Sequence, residues 1–540
     1  MNSLAKFFIS LLGVSVMSAS GSVVPSNPMP EVNDDFMAQG HEIYIQRCSF
    51  CHGLLGDGNG PTADFLDPRP RDFTLGIFKF RTTQSGELPT DEDLFRTVSR
   101  GLTGTAMQAF DEDIIKNGLT EEQRWAVIAY IKTFAFEFED PELDPVKNGM
   151  VIPLPKDMAP YNADSIEKGK AVFERAKCWE CHGKSGRGDG QKSFDRTDDW
   201  GFPIRIRNVT HPWKIKAGSE VEDIYMRFST GILGTPMPSF VDALTEEDRW
   251  YLANFIKSLQ HERTEHQVLV ALKTKDSLPD DPFDPRWNEA GPMDIRLAGQ
   301  VIGAPRWQNN SVDMVTIKAM FNEDEIEFLM VWDDPFQDIV HDESKELDTS
   351  ELAQVGGFSS YIMSNDQVPR RLETFRDSIA LQFPAKTVEG TKKPHFFRGS
   401  VSDPVNLWIW QPDKSESDGR SVSEAVARSW KQDYKFQDEE SQQVEGSAVW
   451  DQGRWHVLMK RPRKTGDRND VQFESSQFIP MSINLWDGSN GEHGLLMSLS
   501  SWYFVVLESN IPVNVYIYAL VAGLLSVLLG GYLFKLANKT

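Results

Sequence analysis

Two copies of Cys-x-x-Cys-His-Gly constrain this chain more than any other feature. They read Cys48-Ser-Phe-Cys51-His52-Gly53 and Cys178-Trp-Glu-Cys181-His182-Gly183, and they use all four cysteines of the 540 residues. The spacing puts two sulfurs on one turn with an imidazole directly after them. That arrangement suits covalent haem c, in which two thiols add to the vinyl groups of one porphyrin and the histidine becomes the proximal iron ligand. A thioredoxin-like pair would sit in a βαβ pattern, which the flanking sequence lacks. A zinc site would need four nearby ligands, and each motif supplies three. A structural disulfide leaves the His-Gly unexplained. The reading is two covalent haems c, on Cys48 and Cys51 and on Cys178 and Cys181, with His52 and His182 on the irons.

The duplication extends well beyond the cysteines. Gly40-x-x-x-Tyr44 precedes the first motif and Gly169-x-x-x-Phe173 the second. Downstream, Gly101-Leu-Thr-Gly-Thr-Ala-Met107 matches Gly231-Ile-Leu-Gly-Thr-Pro-Met237, and each methionine stands 59 residues after its first cysteine. One methionine alone would read as a flexible core filler. Two at one offset, each behind Gly-x-x-Gly-Thr, read as sixth iron ligands; His/Met ligation raises the reduction potential. A helix then closes each unit. Leu119-Thr-Glu-Glu-Gln-Arg-Trp125 parallels Leu244-Thr-Glu-Glu-Asp-Arg-Trp250, with Thr120 and Thr245 as N-caps. The first unit has five extra residues before this helix, around Asp111 to Gly118.

Both units resemble class I cytochrome c domains, over residues 34–136 and 164–260. The resemblance implies a small all-α fold around each haem, moving one electron per iron. Pro61 is a candidate carbonyl for the Nδ1–H of His52. Arg81 and Arg207 are candidates for haem propionates, with ordinary surface arginines as the alternative. Residues 139–163, acidic and proline-rich, read as a semi-rigid linker.

From 277 to 506 short alternating runs appear, such as Val315-Thr-Ile-Lys-Ala-Met-Phe321 and Trp455-His-Val-Leu-Met459, separated by Asp-, Gly- and Pro-rich turns. They predict an antiparallel β-sandwich-like domain. Trp332-Asp-Asp-Pro335, Arg376-Asp-Ser378, Leu407-Trp-Ile-Trp410, Gly453-Arg-Trp455 and Leu485-Trp-Asp-Gly488 follow in order. This series resembles the haem-binding subunit of ethylbenzene dehydrogenase and the γ subunits of periplasmic enzymes acting on dimethyl sulfide, chlorate, selenate and nitrate. The resemblance implies a domain able to bind one haem b between a Met and a Lys. Here the first stretch reads Pro394-His-Phe-Phe-Arg-Gly399, without Met, and Met497 stands where the Lys would be. His395 and Met497 are substitute ligands for a haem b; the other reading is a ligand-free scaffold that docks a partner.

The two ends predict a location. Lys6, then Phe7 to Val16 and small residues at Ser18, Ala19 and Ser20, make a secretory signal over 1–20, with an uncleaved anchor as the alternative. Ile511 to Phe534 carries no charge and is followed by Lys535 and Lys539, which predicts a transmembrane helix over 511–534 with a cytoplasmic tail. The rest is then expected on the periplasmic side of the cell inner membrane. The formal charge of −24 does not favour nucleic acid and suits a basic docking partner, or solubility alone.

The expected architecture is thus multidomain: two all-α cytochrome c domains, one β domain and one transmembrane helix. The expected role is a membrane-anchored dihaem cytochrome in a respiratory chain. Its partners would be redox proteins, among them a molybdenum enzyme with an iron–sulfur subunit, of nitrate or nitrite type. Electrons would pass between that enzyme and the quinol pool or a soluble cytochrome. The alternatives are a dihaem peroxidase-like enzyme, which needs a displaceable iron ligand, and a dihaem oxidase subunit, which needs no β domain.

Overall fold

The structure is a computed structural model that describes residues 25–66, 68–193, 196–201, 204–264, 266–308, 310–339, 375–386, 393–412, 420–475, 477–508 and 513–537. The expected signal, residues 1–20, lies outside the described residues. The chain divides into two compact units, residues 1–261 and 262–540.

The first unit holds the duplicated region. Its longer described elements are helices: α1 (Asp34–Arg47), α2 (Ser49–His52), α3 (Asp91–Arg100), α4 (Glu121–Lys132), α5 (Ala163–Arg175), α6 (Trp179–His182), α7 (Val221–Thr230) and α8 (Glu246–Ser258). Isolated β-bridges join Thr83 to Val151 and Asp111 to Leu119. The helix starts follow the sequence signals. Thr120 Oγ1 accepts from the Gln123 amide, and Thr245 Oγ1 accepts from the Asp248 amide at 3.1 Å. In each half the N-terminal helix crosses the C-terminal one at a glycine. A Cβ on Gly40 would run into the carbonyl oxygen of Ala126, and one on Gly169 into that of Tyr251. The helices can therefore meet backbone to backbone only because both positions lack a side chain. Beneath the crossings lie two apolar cores, one around Tyr44, Phe95 and Trp125 and one around Phe173, Tyr225 and Trp250. The linker is more than a spacer. It folds back on the first half, where Gln84 N donates to Met150 O and Ile152 N to Thr82 O, and Ile152 is buried.

The second unit contains β1 (Val268–Lys273), β2 (Met293–Arg296), β3 (Ala298–Gly299), β4 (Met314–Phe321), β5 (Glu325–Asp333), β6 (Ser378–Pro384), β7 (Val405–Trp410), β8 (Val422–Ala427), β9 (Lys435–Phe436), β10 (Glu445–Asp451), β11 (Arg454–Pro462), β12 (Ile479–Trp486), β13 (Ser498–Leu499) and β14 (Tyr503–Leu507). The order is β10-β11-β5-β4-β1-β14-β12-β6-β7-β8-β9. Most pairs are antiparallel, but β1 runs parallel to both of its neighbours, β4 and β14. The sheet is therefore mixed, which corrects the antiparallel expectation. β1 joins a β10–β4 layer to a β14–β9 layer. The layers face each other through Phe328 of β5, which meets Phe383 of β6 and Trp408 of β7, both at 5.9 Å between ring centroids. Alternation fails in β6, β7 and β12, which are buried throughout. Their outer face is covered by Phe397, Met497, Leu499 and other apolar side chains.

The last described element is α9 (Val513–Ala537), 25 residues long. Its described side chains, such as Leu520, Leu524 and Leu528, are exposed. Those side chains cover 517, 518 and 520–530. Within residues described to that level, no helix is long and apolar enough to cross a membrane.

Candidate haem sites

The two cysteine loops fold alike. In the first, His52 N donates to Cys48 O (2.9 Å), Gly58 N to His52 O (2.9 Å) and Gly60 N to Cys51 O (3.1 Å). In the second, His182 N donates to Cys178 O (2.9 Å), Gly188 N to His182 O (2.8 Å) and Gly190 N to Cys181 O (3.1 Å). None of the four cysteines is in a disulfide. Burial pushes the Cys48 thiol up to about 12 and the Cys178 thiol to about 11.

The histidines are prepared as neutral ligands. His52 Nδ1 lies 2.9 Å from Arg71 O, and His182 Nδ1 lies 3.2 Å from Arg207 O. A carbonyl accepts only, so each Nδ1 carries the proton and each Nε2 lone pair is left for a metal. Burial lowers the pKa of both imidazoles, against the opposing pull of these carbonyls. The expected carbonyl of Pro61 is not the partner. The Gly60 turn back to Cys51 carries the chain past it, and the acceptor arrives 19 residues after the histidine. The second half uses the matching carbonyl 25 residues on.

The methionine loops match bond for bond. Leu102 N donates to Met107 O (2.8 Å), and Ile232 N to Met237 O (3.1 Å). Thr105 Oγ1 donates to Leu102 O (2.8 Å) and accepts from Met107 N (3.1 Å). Thr235 Oγ1 does the same with Ile232 O (2.7 Å) and Met237 N (3.3 Å). Gly101 and Gly231 open the loops at φ 66° and 67°, a conformation that favours glycine. Met107 and Cys48 pack on one core, and Met237 and Cys178 on the other. Each half thus brings the first thiol of its motif and the thioether to the same apolar core, which fits a haem held between them.

The halves also touch. The guanidinium of Arg71 lies 4.4 Å from the Trp200 ring, and a Cβ on Gly234, in the Met237 loop, would strike that ring. Arg81 is fully buried. It donates to Phe78 O and Gln84 O in its own half and, through Nη2, to Thr230 O in the other at 3.0 Å. That places one of the two propionate candidates in the contact between the halves. Arg207, the other, offers its backbone carbonyl to His182.

In the second unit the two stretches suggested for haem b do meet, since Trp502 Nε1 donates to Pro394 O at 2.9 Å. His395, however, is exposed, with Nδ1 3.2 Å from the Phe397 amide it accepts from. Met497 is enclosed among Phe397, Leu407 and Trp486. This pair does not fit a haem held between two axial ligands.

A different cluster stands out there. Asp334, Asp377 and Asp487 are buried, with ligand-capable oxygens within 4.8 Å of one another, close enough for one cation. Asp377 accepts from Trp455 Nε1 (2.8 Å), Asp338 N (2.9 Å) and Gly488 N (2.9 Å). Burial first, and then the neighbouring carboxylates, hold Asp334 and Asp377 well above the usual carboxylate range. The sequence reading missed this convergence, although its signal was in plain view. Trp332-Asp-Asp-Pro335, Arg376-Asp-Ser378, Gly453-Arg-Trp455 and Leu485-Trp-Asp-Gly488 all supply it.

The model of the family described as Cytochrome c matches residues 37–135 and 166–260, and that described as Ethylbenzene dehydrogenase matches 284–437 and 424–498. A chain of the reducing HAO-like protein complex of Kuenenia stuttgartiensis is 40% identical, over 44% of this chain and 100% of that one, with a TM-score of 0.39. This chain carries two cytochrome c domains and an ethylbenzene dehydrogenase domain. A Haloferax mediterranei protein designated a respiratory nitrate reductase haem subunit is 23% identical over 241 residues, 45% of this chain and 73% of that protein. With its two cytochrome c domains the chain binds haem c covalently and takes part in electron transport.

Proposed function

We propose that the chain is a dihaem relay. Cys48 and Cys51, and Cys178 and Cys181, hold two haems c; His52 and His182 are their proximal ligands, and Met107 and Met237 their distal ones. Bound haem supplies a one-electron Fe(III)/Fe(II) couple. The chain's residues hold the histidines neutral through Arg71 O and Arg207 O, and the paired threonines fix the methionine loops. The identical hydrogen bonding of those two loops carries the reading. With a histidine and a methionine to offer each haem, the chain would leave no open iron position for a substrate, and the chemistry supplied would be electron transfer.

The partner proposed is a respiratory oxidoreductase, a molybdenum enzyme of nitrate or nitrite type. Support comes from the domain shared with ethylbenzene dehydrogenase and from the name of the Haloferax mediterranei relative. The charge-free run from 511 to 534 and the lysines after it support an anchor in the cell inner membrane, with the haem domains and the β domain before it on the periplasmic side. The ethylbenzene dehydrogenase domain is proposed as a docking scaffold without haem b.

Pyridine haemochrome spectra combined with acid extraction test the haem inventory. Two covalent haems per chain and no extractable haem are expected. A single covalent haem sinks the relay, and an extractable haem sinks the scaffold reading.

A further inference from the structure

Arg227 projects from α7, just ahead of Gly231 and the Met237 loop, into the contact between the two haem domains. Its Nη2 donates to Arg81 O at 3.1 Å, and its guanidinium lies 5.5 Å from the Phe80 ring. Arg81 answers by donating to Thr230 O, so each arginine is clamped by the backbone of the other's domain. Yet Nε and Nη1 of Arg227 are buried without a hydrogen-bond partner. A buried guanidinium with unused donors is costly unless an anion completes it.

Asp93 and Asp223 lie near enough to favour the Arg227 charge, but neither hydrogen-bonds its Nε or Nη1. Asp93 accepts from Thr82, from the Thr90 amide and from Arg96. Asp223 faces Arg100 at 3.9 Å. Burial lowers both Arg81 and Arg227 to about 10, and Arg227 adds to the depression of Arg81. Both haem pockets border this place. Phe78, whose carbonyl takes Arg81, stacks on Phe73, which stacks on His52. Phe228, next to Arg227, shares a core with Met237 and Cys178. The anionic groups that haem c would bring to such a place are its propionate carboxylates.

We propose that Arg227, braced by Arg81, is a positioning residue that receives a haem carboxylate between the two haem domains and so raises the reduction potential of that haem. A fixed positive charge beside the propionate disfavours the more positive ferric state. The inference rests on the dihaem reading. The donors matter as well as the charge, because Nε and Nη1 lie on different edges of the guanidinium and each can donate to a carboxylate oxygen.

The test is a spectroelectrochemical titration of the full-length, haem-loaded protein as wild type, R227Q and R227K. R227Q is expected to shift one midpoint toward the ferric form by about tenfold, which is 59 mV for a one-electron couple. The near-infrared Met–iron bands should be unchanged, showing that the axial ligands are untouched. R227K keeps the charge but loses the Nε and Nη1 donors, so it should shift the same midpoint in the same direction by less. Should R227Q fail to accumulate, R227K alone carries the test. Wild-type midpoints in whichever variant is obtained, with two haems bound, overturn the inference. A wild-type protein with fewer than two covalent haems overturns the dihaem reading instead.

Discussion

Arg124 and Arg249 occupy the same place in the first and second haem domains, one residue before the tryptophan of the closing helix. Their surroundings differ. Arg124 is paired with Asp111, both buried, and lies over the Phe95 ring. Arg249 has Ser229 Oγ at 2.7 Å and lies over the Tyr225 ring. Asp111 comes from the segment that is longer in the first domain. The extra residues therefore bring in a counter-charge, and the second domain manages with a neutral hydroxyl. The same contrast recurs under the proximal histidine. Phe73 stacks on His52 at 4.4 Å, whereas Val209 stands two residues after the matching carbonyl of Arg207. Packing has diverged while the ligand loops kept their hydrogen bonds. Those loops are tied by their own backbone and one threonine, so their shape does not depend on which side chains fill the core behind them.

This contrast can be broken by substitution. Asp111→Ala leaves Arg124 as an uncompensated buried charge and should cost about 3–5 kcal/mol. Ser229→Ala removes one hydrogen bond to Arg249 and should cost less, about 1.5–3 kcal/mol. Guanidinium unfolding of the two variants ranks them, and equal losses would erase the distinction drawn between the domains. A smaller effect is expected at Tyr44, whose hydroxyl donates to Gly53 O at 2.7 Å beside the proximal histidine. The second domain already has Phe173 in that place. Tyr44→Phe should lower stability by about 1 kcal/mol with both haems retained. An unchanged unfolding midpoint would show that the hydroxyl contributes nothing.

Much of the haem region was legible because its chemistry is local. Cys-x-x-Cys-His, the Gly-Thr-x-Met loops and the threonine caps each fit within a few residues, and the duplication checked each one against its partner. Partners supplied by distant backbone were not legible. A carbonyl carries no residue signature, so nothing in the sequence distinguished Arg71 from Pro61 as the acceptor for His52. Arg81 was recognised as interesting without its place between the domains, because that contact spans 149 residues. In the β unit, the strand runs were visible but the parallel placement of β1 was not, since a six-residue strand reads the same beside either neighbour. The aspartate cluster escaped because its members come from three well-separated phrases, each of which reads alone as a strand end.

The central claim is that both domains offer a methionine to iron. The ferric near-infrared Met–iron band, measured on wild type, Met107→Ala and Met237→Ala with haem content held equal, tests it most directly. Each variant should lose the contribution of one haem, about half of the band if the two absorb alike, because each loop serves only its own iron. Full wild-type intensity in either variant would contradict the account for that domain.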